Sequence, residues 1–314
     1  MKTIGVDLGG TNMKAALVDE TGQVLQEISA PTNLPRPAEA VCDDIAALCL
    51  ALSQDQQLAG IGVGCPGTVD GGVVRYSNNL AWHDFDMAGY LRQKLDLPVY
   101  LGNDANVAAL GEALAGCAKG AESAVIITLG TGVGGGVVLD GKLLTGYTGA
   151  AAEPGHMVIL GTSEAPLCTC GRRGCFESLA SATALIRMTR EARRAHPDSA
   201  LNTLAPEEND VNGRTAFDAA AMGDTAGKAV VEQYTTYLAM GIANLINIFF
   251  PEVVGLSGGV ANQGENLLQP LRAAVEPLVF GNEFAKKKTR ITTCTLGYRA
   301  GVIGAAMLAQ RGEA

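Results

Sequence analysis

The sequence has no excess of basic charge. Its 23 Lys and Arg stand against 32 Asp and Glu among 314 residues, a formal charge of −9. Sequence-independent nucleic-acid binding needs a basic footprint, so no nucleic-acid partner is expected. Charged residues are few, 18% against 47% hydrophobic, which excludes disorder for the bulk of the chain. Long apolar runs are missing as well. The most apolar stretch, Leu238 to Phe250, is interrupted by Asn244 and Asn247 and stops at Pro251, short of the roughly 20 residues a bilayer requires. No membrane partner is therefore expected. Nor is a secretory leader expected, because Met1-Lys2-Thr3 runs directly into Ile4-Gly5-Val6-Asp7. The expected location is cytoplasmic, where the eight cysteines read as thiols or metal ligands before disulfides. A Walker loop is also absent, since no G-x-x-x-x-G-K-[ST] occurs.

Glycine is what the chain has in quantity: 40 residues, well above the usual share of roughly 7%. These glycines cluster at the ends of apolar runs, where they mark tight turns and close backbone approaches. Ile4 to Thr11 reads as a strand entering a glycine turn, followed by a second strand, Ala15 to Asp19. After a shift of 121 residues the pattern returns, with Leu8, Gly9 and Asp19 falling on Leu129, Gly130 and Asp140. Any two hairpins look somewhat alike, but each copy here opens one half of the chain. The expectation is an α/β protein with two related lobes, built on mixed sheets flanked by helices. Ala38–Leu52, Met87–Leu95, Asp104–Ala115, Ser178–His196, Gly227–Phe249 and Gly301–Gln310 read as helices. Val253–Leu256 and Arg290–Cys294 read as strands, and Pro197–Arg214 as a mobile polar loop.

Three glycine turns are candidate phosphate cradles. The first runs from Asp7 through Gly9, Gly10, Thr11 and Asn12 to Lys14. It combines bare amides with a lysine and a carboxylate suited to hydrated magnesium. Gly130-Thr131-Gly132 offers amides and a hydroxyl, and Gly258-Gly259 follows a third strand. Any one of them alone is compatible with a plain hairpin.

The sharpest local signal is the set His156, Cys168, Cys170 and Cys175. Three thiolates and an imidazole make a closed tetrahedral site for structural zinc. A redox role is the competing reading, although C-x-C lacks the C-x-x-C geometry of thioredoxin-like sites. The knuckle would brace Glu153 and Glu177, its sequence neighbours, as acceptors for ligand hydroxyls. Cys42, Cys49, Cys65, Cys117 and Cys294 read as small buried hydrophobes. Asp104, between a strand end and a helix, is either a helix cap or a base for an attacking hydroxyl. Gly67, Asn78 and Asn79 complete a polar, sugar-sized set.

Taken together, these motifs resemble the ROK family of bacterial sugar kinases, glucokinase branch, within the actin-like ATPase superfamily. The matching stretches are Asp7-Leu8-Gly9-Gly10-Thr11, Cys65-Pro66-Gly67, Asn103-Asp104-Ala105-Asn106, Gly130 to Gly134, Glu153-Pro154-Gly155-His156 and Cys168 to Glu177. The resemblance implies two actin-like (ribonuclease H-like) lobes, an active-site cleft between them and a structural zinc knuckle. Residues 1–120 with 300–314 would form the smaller lobe and 121–299 the larger one. The implied substrates are ATP with Mg2+ and a hexose phosphorylated at its 6-hydroxyl, with glucose the expected sugar and an N-acetylhexosamine the alternative. Asp104 is then the catalytic base, and Gly67, Asn79, Asn103, Glu153, His156 and Glu177 contact the sugar. A non-catalytic sugar sensor is a third reading. A regulator with an N-terminal DNA-binding domain is not expected, because the first strand begins at residue 3 or 4. The family expectation for assembly is a homodimer or higher homo-oligomer. Two departures stand out: Tyr298-Arg299, where a small or acidic pair is expected, and Phe176, where an aliphatic is common.

Overall fold

The structure is a computed structural model that describes residues 1–54 and 56–312. In chain order the first elements are β1 (Lys2–Leu8), β2 (Asn12–Val18), β3 (Val24–Pro31), α1 (Ala38–Ser53), β4 (Leu58–Cys65), β5 (Thr68–Asp70), β6 (Val73–Ser77) and β7 (Trp82–Phe85). They are followed by α2 (Met87–Leu95), β8 (Val99–Asn103), α3 (Asp104–Leu114), β9 (Ala124–Leu129), β10 (Val133–Leu139) and β11 (Lys142–Leu143). The remainder comprises α4 (Phe176–Ala180), α5 (Ala182–Ala195), α6 (Ala200–Leu204), α7 (Thr215–Ala221), α8 (Thr225–Phe249), β12 (Val253–Ser257), α9 (Glu265–Val275), β13 (Arg290–Thr293) and α10 (Ala300–Arg311). Contacts divide the chain into two compact units. One is Met1–Ile126 with Gly136–Ala152 and Thr295–Ala314, and the other is Ile127–Gly135 with Glu153–Cys294.

The 121-residue echo corresponds to a repeated sheet plan. The first sheet has the order β3-β2-β1-β4-β8, an antiparallel meander followed by two parallel strands. The second has the order β11-β10-β9-β12-β13, with β10–β11 antiparallel and β12–β13 parallel. Position for position the two orders agree. A third, small antiparallel sheet, β5-β6-β7, was not legible in the sequence. Its strands are too short to show a period.

In the first sheet the pleat decides what each face does. Ile4, Val6 and Leu8 alternate along β1 and join Val41, Ile45 and Leu52 of α1 in one buried core. The opposite face carries Gly5 and Asp7. A Cβ at Gly5 would lie 1.8 Å from the Val302 carbonyl, and one at Gly62 1.8 Å from that of Ala305. Bare backbone is thus what lets α10 lie directly on the sheet. The C-terminal helix consequently belongs to the first unit, where it packs on β1, β4 and α3. Its approach is anchored by Glu112, a fully buried carboxylate on α3. Glu112 accepts N–H bonds from Cys117 (2.9 Å), Thr295 (3.1 Å) and Leu296 (2.7 Å), which satisfies a charge that could not otherwise be buried.

Several local expectations are corrected. The stretch Ser178–His196 is broken at Ser181, whose hydroxyl accepts from Ala184 N–H (3.1 Å) and so starts α5 afresh. Pro197–Arg214 is not a structureless loop: it contains α6 and a 3-10 turn at Glu208–Asp210, and buries Leu201 and Val211. Cys42, Cys49 and Cys65 are buried as expected, whereas Cys117 and Cys294 are only half-buried and Cys294 lies just past β13. Among the described residues no helix is long and apolar enough to cross a membrane.

Candidate active site

In the first unit the glycine turn is closed by its own hairpin. Gly9 N–H donates to the Asn12 carbonyl (3.0 Å), next to the Leu8↔Met13 pair that ends the β1–β2 ladder. Thr32, fully buried after β3, holds the turn from below. Its hydroxyl donates to the Gly9 carbonyl (2.7 Å) and its N–H to the Thr11 carbonyl (2.8 Å). Gly10 faces open space. Sequence reasoning missed Thr32, because nothing in its neighbourhood marks a brace that acts through tertiary pairing.

Asp7 shares the Gly5 face of β1, and its carboxylate sits where a Cβ on Gly301, in the first turn of α10, would lie 2.7 Å away. Burial raises its pKa above 3.8, the nearby Asp104 charge raises it further, and Lys14, its partner across the ladder, opposes both. The departure at Tyr298-Arg299 is also found here. Lys14 Nζ lies 4.9 Å from the Tyr298 ring centroid, and Arg299 pairs with Glu27 at 2.9 Å.

Asp104 is not the helix cap. Asn103 takes that role, accepting Asn106 N–H on its Oδ1 (3.1 Å) while its Nδ2 donates to the Gly67 carbonyl (3.0 Å). Gly67 has φ +105°, and a Cβ there would lie 2.1 Å from the Tyr76 carbonyl, so only glycine can present that acceptor. Asp104 is then the first helical residue. Its Oδ1 accepts Ala105 N–H (2.9 Å), yet burial outweighs these bonds and raises its pKa. Asn79 lies exposed in the β6–β7 turn, and no described side chain ties it to Asn103 or Asp104.

In the second unit the Gly130 turn is held by remote segments. Gly130 N–H donates to the Gly132 carbonyl (3.0 Å), Ala182 N–H to the Gly130 carbonyl (2.9 Å), and the Thr183 hydroxyl to the Thr131 carbonyl (2.7 Å). Val133 N–H donates to Glu177 Oε2 (3.1 Å). Gly155 of Glu-Pro-Gly-His packs so closely on Val133 that a Cβ would lie 2.0 Å from its carbonyl. At Gly258, with φ +88°, a Cβ would lie 2.4 Å from the Leu129 carbonyl, which sets the third glycine turn against the end of β9, with Gly259 open. Phe176 is fully buried, and its ring fills the space that a side chain at Gly241 would need. That vacancy on α8 accommodates an aromatic where an aliphatic was expected.

His156, Cys168, Cys170 and Cys175 come together with their donor atoms within 4.8 Å of one another. Cys168 Sγ is 3.8 Å from His156 Nδ1, and Cys170 Sγ is 3.6 Å from Cys175 Sγ. A zinc tetrahedron with bonds of about 2.0–2.3 Å has edges of about 3.5–3.8 Å, so the donor set fits. Burial pushes the Cys175 thiol up to about 12, while the Arg172 backbone N–H and guanidinium hold Cys170 down at about 6. Such a set ionises together only around a cation. Beside the knuckle lies a cavity of about 520 Å³ whose lining includes Thr131, Thr169, Glu177, Thr183 and Arg187.

The ROK family description matches residues 3–312. The chain belongs to the ROK family. The glucokinase of Thermotoga maritima is 37% identical over 98% of this chain and 97% of its own. A ROK family glucokinase from Streptomyces griseus, solved with glucose and AMPPNP, is 34% identical and covers 99% of this chain and 100% of that one, with a TM-score of 0.78. The ROK hexokinase of Thermus thermophilus, also 34% identical, covers 99% of each chain with a TM-score of 0.82. This ROK chain thus matches sugar kinases over nearly its full length, with the mixed α/β fold expected from its sequence.

Proposed function

We propose that this ROK protein is an ATP-dependent sugar kinase that phosphorylates glucose at its 6-hydroxyl. The observation that carries the chemistry is the division of labour at the start of α3. Asn103 caps the helix and leaves the buried Asp104 carboxyl to take the proton of the attacking hydroxyl. As the sugar O6–phosphorus bond forms, the bond from phosphorus to the β–γ bridging oxygen breaks and ADP leaves. Such a loose transition state asks chiefly for positioning and charge neutralisation. In the first unit the turn that Gly9 closes presents the amides of Gly10 to Asn12, with the Lys14 ammonium, to phosphate oxygens. In the second unit the turn that Gly130 closes presents Thr131 and Gly132 in the same way, while Gly258 and Gly259 offer bare backbone to the nucleoside.

Asp7 would hold magnesium, which when bound would neutralise part of the phosphate charge. Asn103, Asn79 and the Gly67 loop form one set of sugar contacts, and Glu153, His156 and Glu177 the other. His156 turns Nδ1 towards the thiols, which leaves Nε2 for a sugar hydroxyl. Glu177 keeps unused lone pairs beyond its existing bonds. His156, Cys168, Cys170 and Cys175 would hold a structural zinc, which when bound would brace this second set. The two functional lobes correspond to residues 1–120 with 300–314 and residues 121–299. The same reading includes a homodimer, and a cytoplasmic location supported by the buried thiols of Cys42, Cys49 and Cys65.

The test is magnesium- and ATP-dependent phosphorylation by zinc-replete protein across glucose, N-acetylglucosamine, N-acetylmannosamine, mannose and fructose, with Asp104→Asn alongside. A glucose-dominated profile abolished in the variant is the expected result. An N-acetyl sugar in first place would keep the mechanism and overturn the glucose assignment. No turnover with any donor would favour a sugar sensor.

A further inference from the structure

Glu177 is bound from two directions. Its Oε2 accepts the Val133 N–H (3.1 Å), at the point where the Gly130 turn re-enters a strand. Its Oε1 accepts the Thr169 hydroxyl (2.9 Å) and the Cys168 thiol (3.4 Å), both inside the knuckle. The contact with the turn is tight, because a Cβ on Gly132 would lie 2.2 Å from Glu177 Oε2. Thr169 lies between two candidate metal ligands, so its position depends on the knuckle's closure. The knuckle is itself fastened to the preceding segment through Phe176 N–H to the Met157 carbonyl (2.8 Å) and the Val158–Cys175 bridge.

We propose that Glu177 is a positioning residue as well as a sugar contact. It transmits the closure of the Cys168–Cys175 knuckle, through Thr169, to the Val133 amide, and so sets the shape of the Gly130 turn and the affinity for the phosphoryl donor. A carboxylate can serve both ends because each oxygen carries two lone pairs. Of the two knuckle groups on Oε1, the Thr169 hydroxyl is the closer, at 2.9 Å against 3.4 Å for the Cys168 sulfur. The functional half of this proposal rests on the reading of the Gly130 turn as part of the donor site.

Thr169→Val tests the link without touching a metal ligand or a proposed substrate contact, and Thr169→Ser restores the hydroxyl. Zinc content, thermal midpoint and amide hydrogen exchange at Val133 are measured on the full chain, together with KM for ATP and KM for glucose. Losing one hydrogen bond in the relay speeds exchange at Val133 by about fivefold. The expected result is this faster exchange in Thr169→Val with zinc still at one per chain. KM for ATP rises by a similar factor, KM for glucose rises with it because the released Glu177 carboxylate is also a proposed sugar contact, and Thr169→Ser behaves as wild type. Chelated wild-type protein shows the same faster exchange at Val133, with the amides of Gly9 to Asn12 unaltered. Unchanged Val133 exchange in both Thr169→Val and the chelated protein would overturn the relay. Faster exchange with an unchanged KM for ATP would instead overturn the donor-site reading of the turn.

Discussion

The two glycine turns that open the two halves of the chain descend from the same local pattern, yet they are secured in different ways. The Gly9 turn is held by its neighbourhood: its own hairpin closes it, and Thr32, from the next strand of the same meander, braces two of its carbonyls. The Gly130 turn depends on residues about fifty positions downstream. Glu177, Ala182 and Thr183 supply its bonds, and Glu177 is itself held by the cysteine knuckle. One turn is therefore as stable as its hairpin, whereas the other is as stable as a side-chain cluster with the chemistry of a metal site. Equal sequence signals can thus give a fixed feature in one place and an adjustable one in another, because only long-range contacts can be switched without unfolding the hairpin.

The largest expected effect separates chemistry from both turns. Asp104→Asn should lower kcat by about 100-fold or more, roughly 2.7 kcal/mol or more, and leave amide exchange in both turns unchanged. Because burial raises the Asp104 pKa above 3.8, the acid limb of kcat/KM should sit above the ordinary aspartate range. The sign for stability follows from the same shift. The folded protein binds this proton more tightly than the unfolded chain, so stability is lost as pH rises from 3.8 through the folded pKa. Denaturant titrations should show a smaller loss over that window in Asp104→Asn.

Next in size, chelation of the zinc proposed for the knuckle should lower kcat/KM by about 10–100-fold. Exchange should quicken at Gly130 to Val133 and not at Gly9 to Asn12; equal loosening of both turns would break the comparison. Gly304→Ala, whose Cβ would lie 1.6 Å from the Val107 carbonyl, should cost about 1–3 kcal/mol in urea unfolding, because α10 cannot then seat on α3. Thr32→Val should be mildest, about 1 kcal/mol, with faster exchange confined to the Gly9 turn. If it loosened the Gly130 turn as well, the two turns would not be independently held.

Much of this was legible beforehand, and the reasons differ by element. The 121-residue echo revealed the common sheet plan because the hairpins are local. The helices Met87–Leu95 and Thr225–Phe249 follow their sequence periods closely. Helix α9 was not seen because Pro270 lies inside it, and proline normally argues against a helix interior. The roles of Thr32, Glu112 and Thr169 were invisible for another reason: each acts on backbone or carboxylate groups far away in sequence. For Asp104 the cap reading is removed only by the structure, which gives the cap to Asn103; its role as base remains the proposal.

The sequence by itself determined most strands of the two large sheets, the glycine turns, the donor set of the knuckle and the family, because each is written in neighbouring residues whose spacing matches a backbone geometry. Tertiary structure alone decided which face Asp7 shares with Gly5, how α10 settles on bare glycine backbone, and what holds each turn in place. Those outcomes depend on which distant groups satisfy a buried donor, acceptor or charge, and that is settled only when the chain packs.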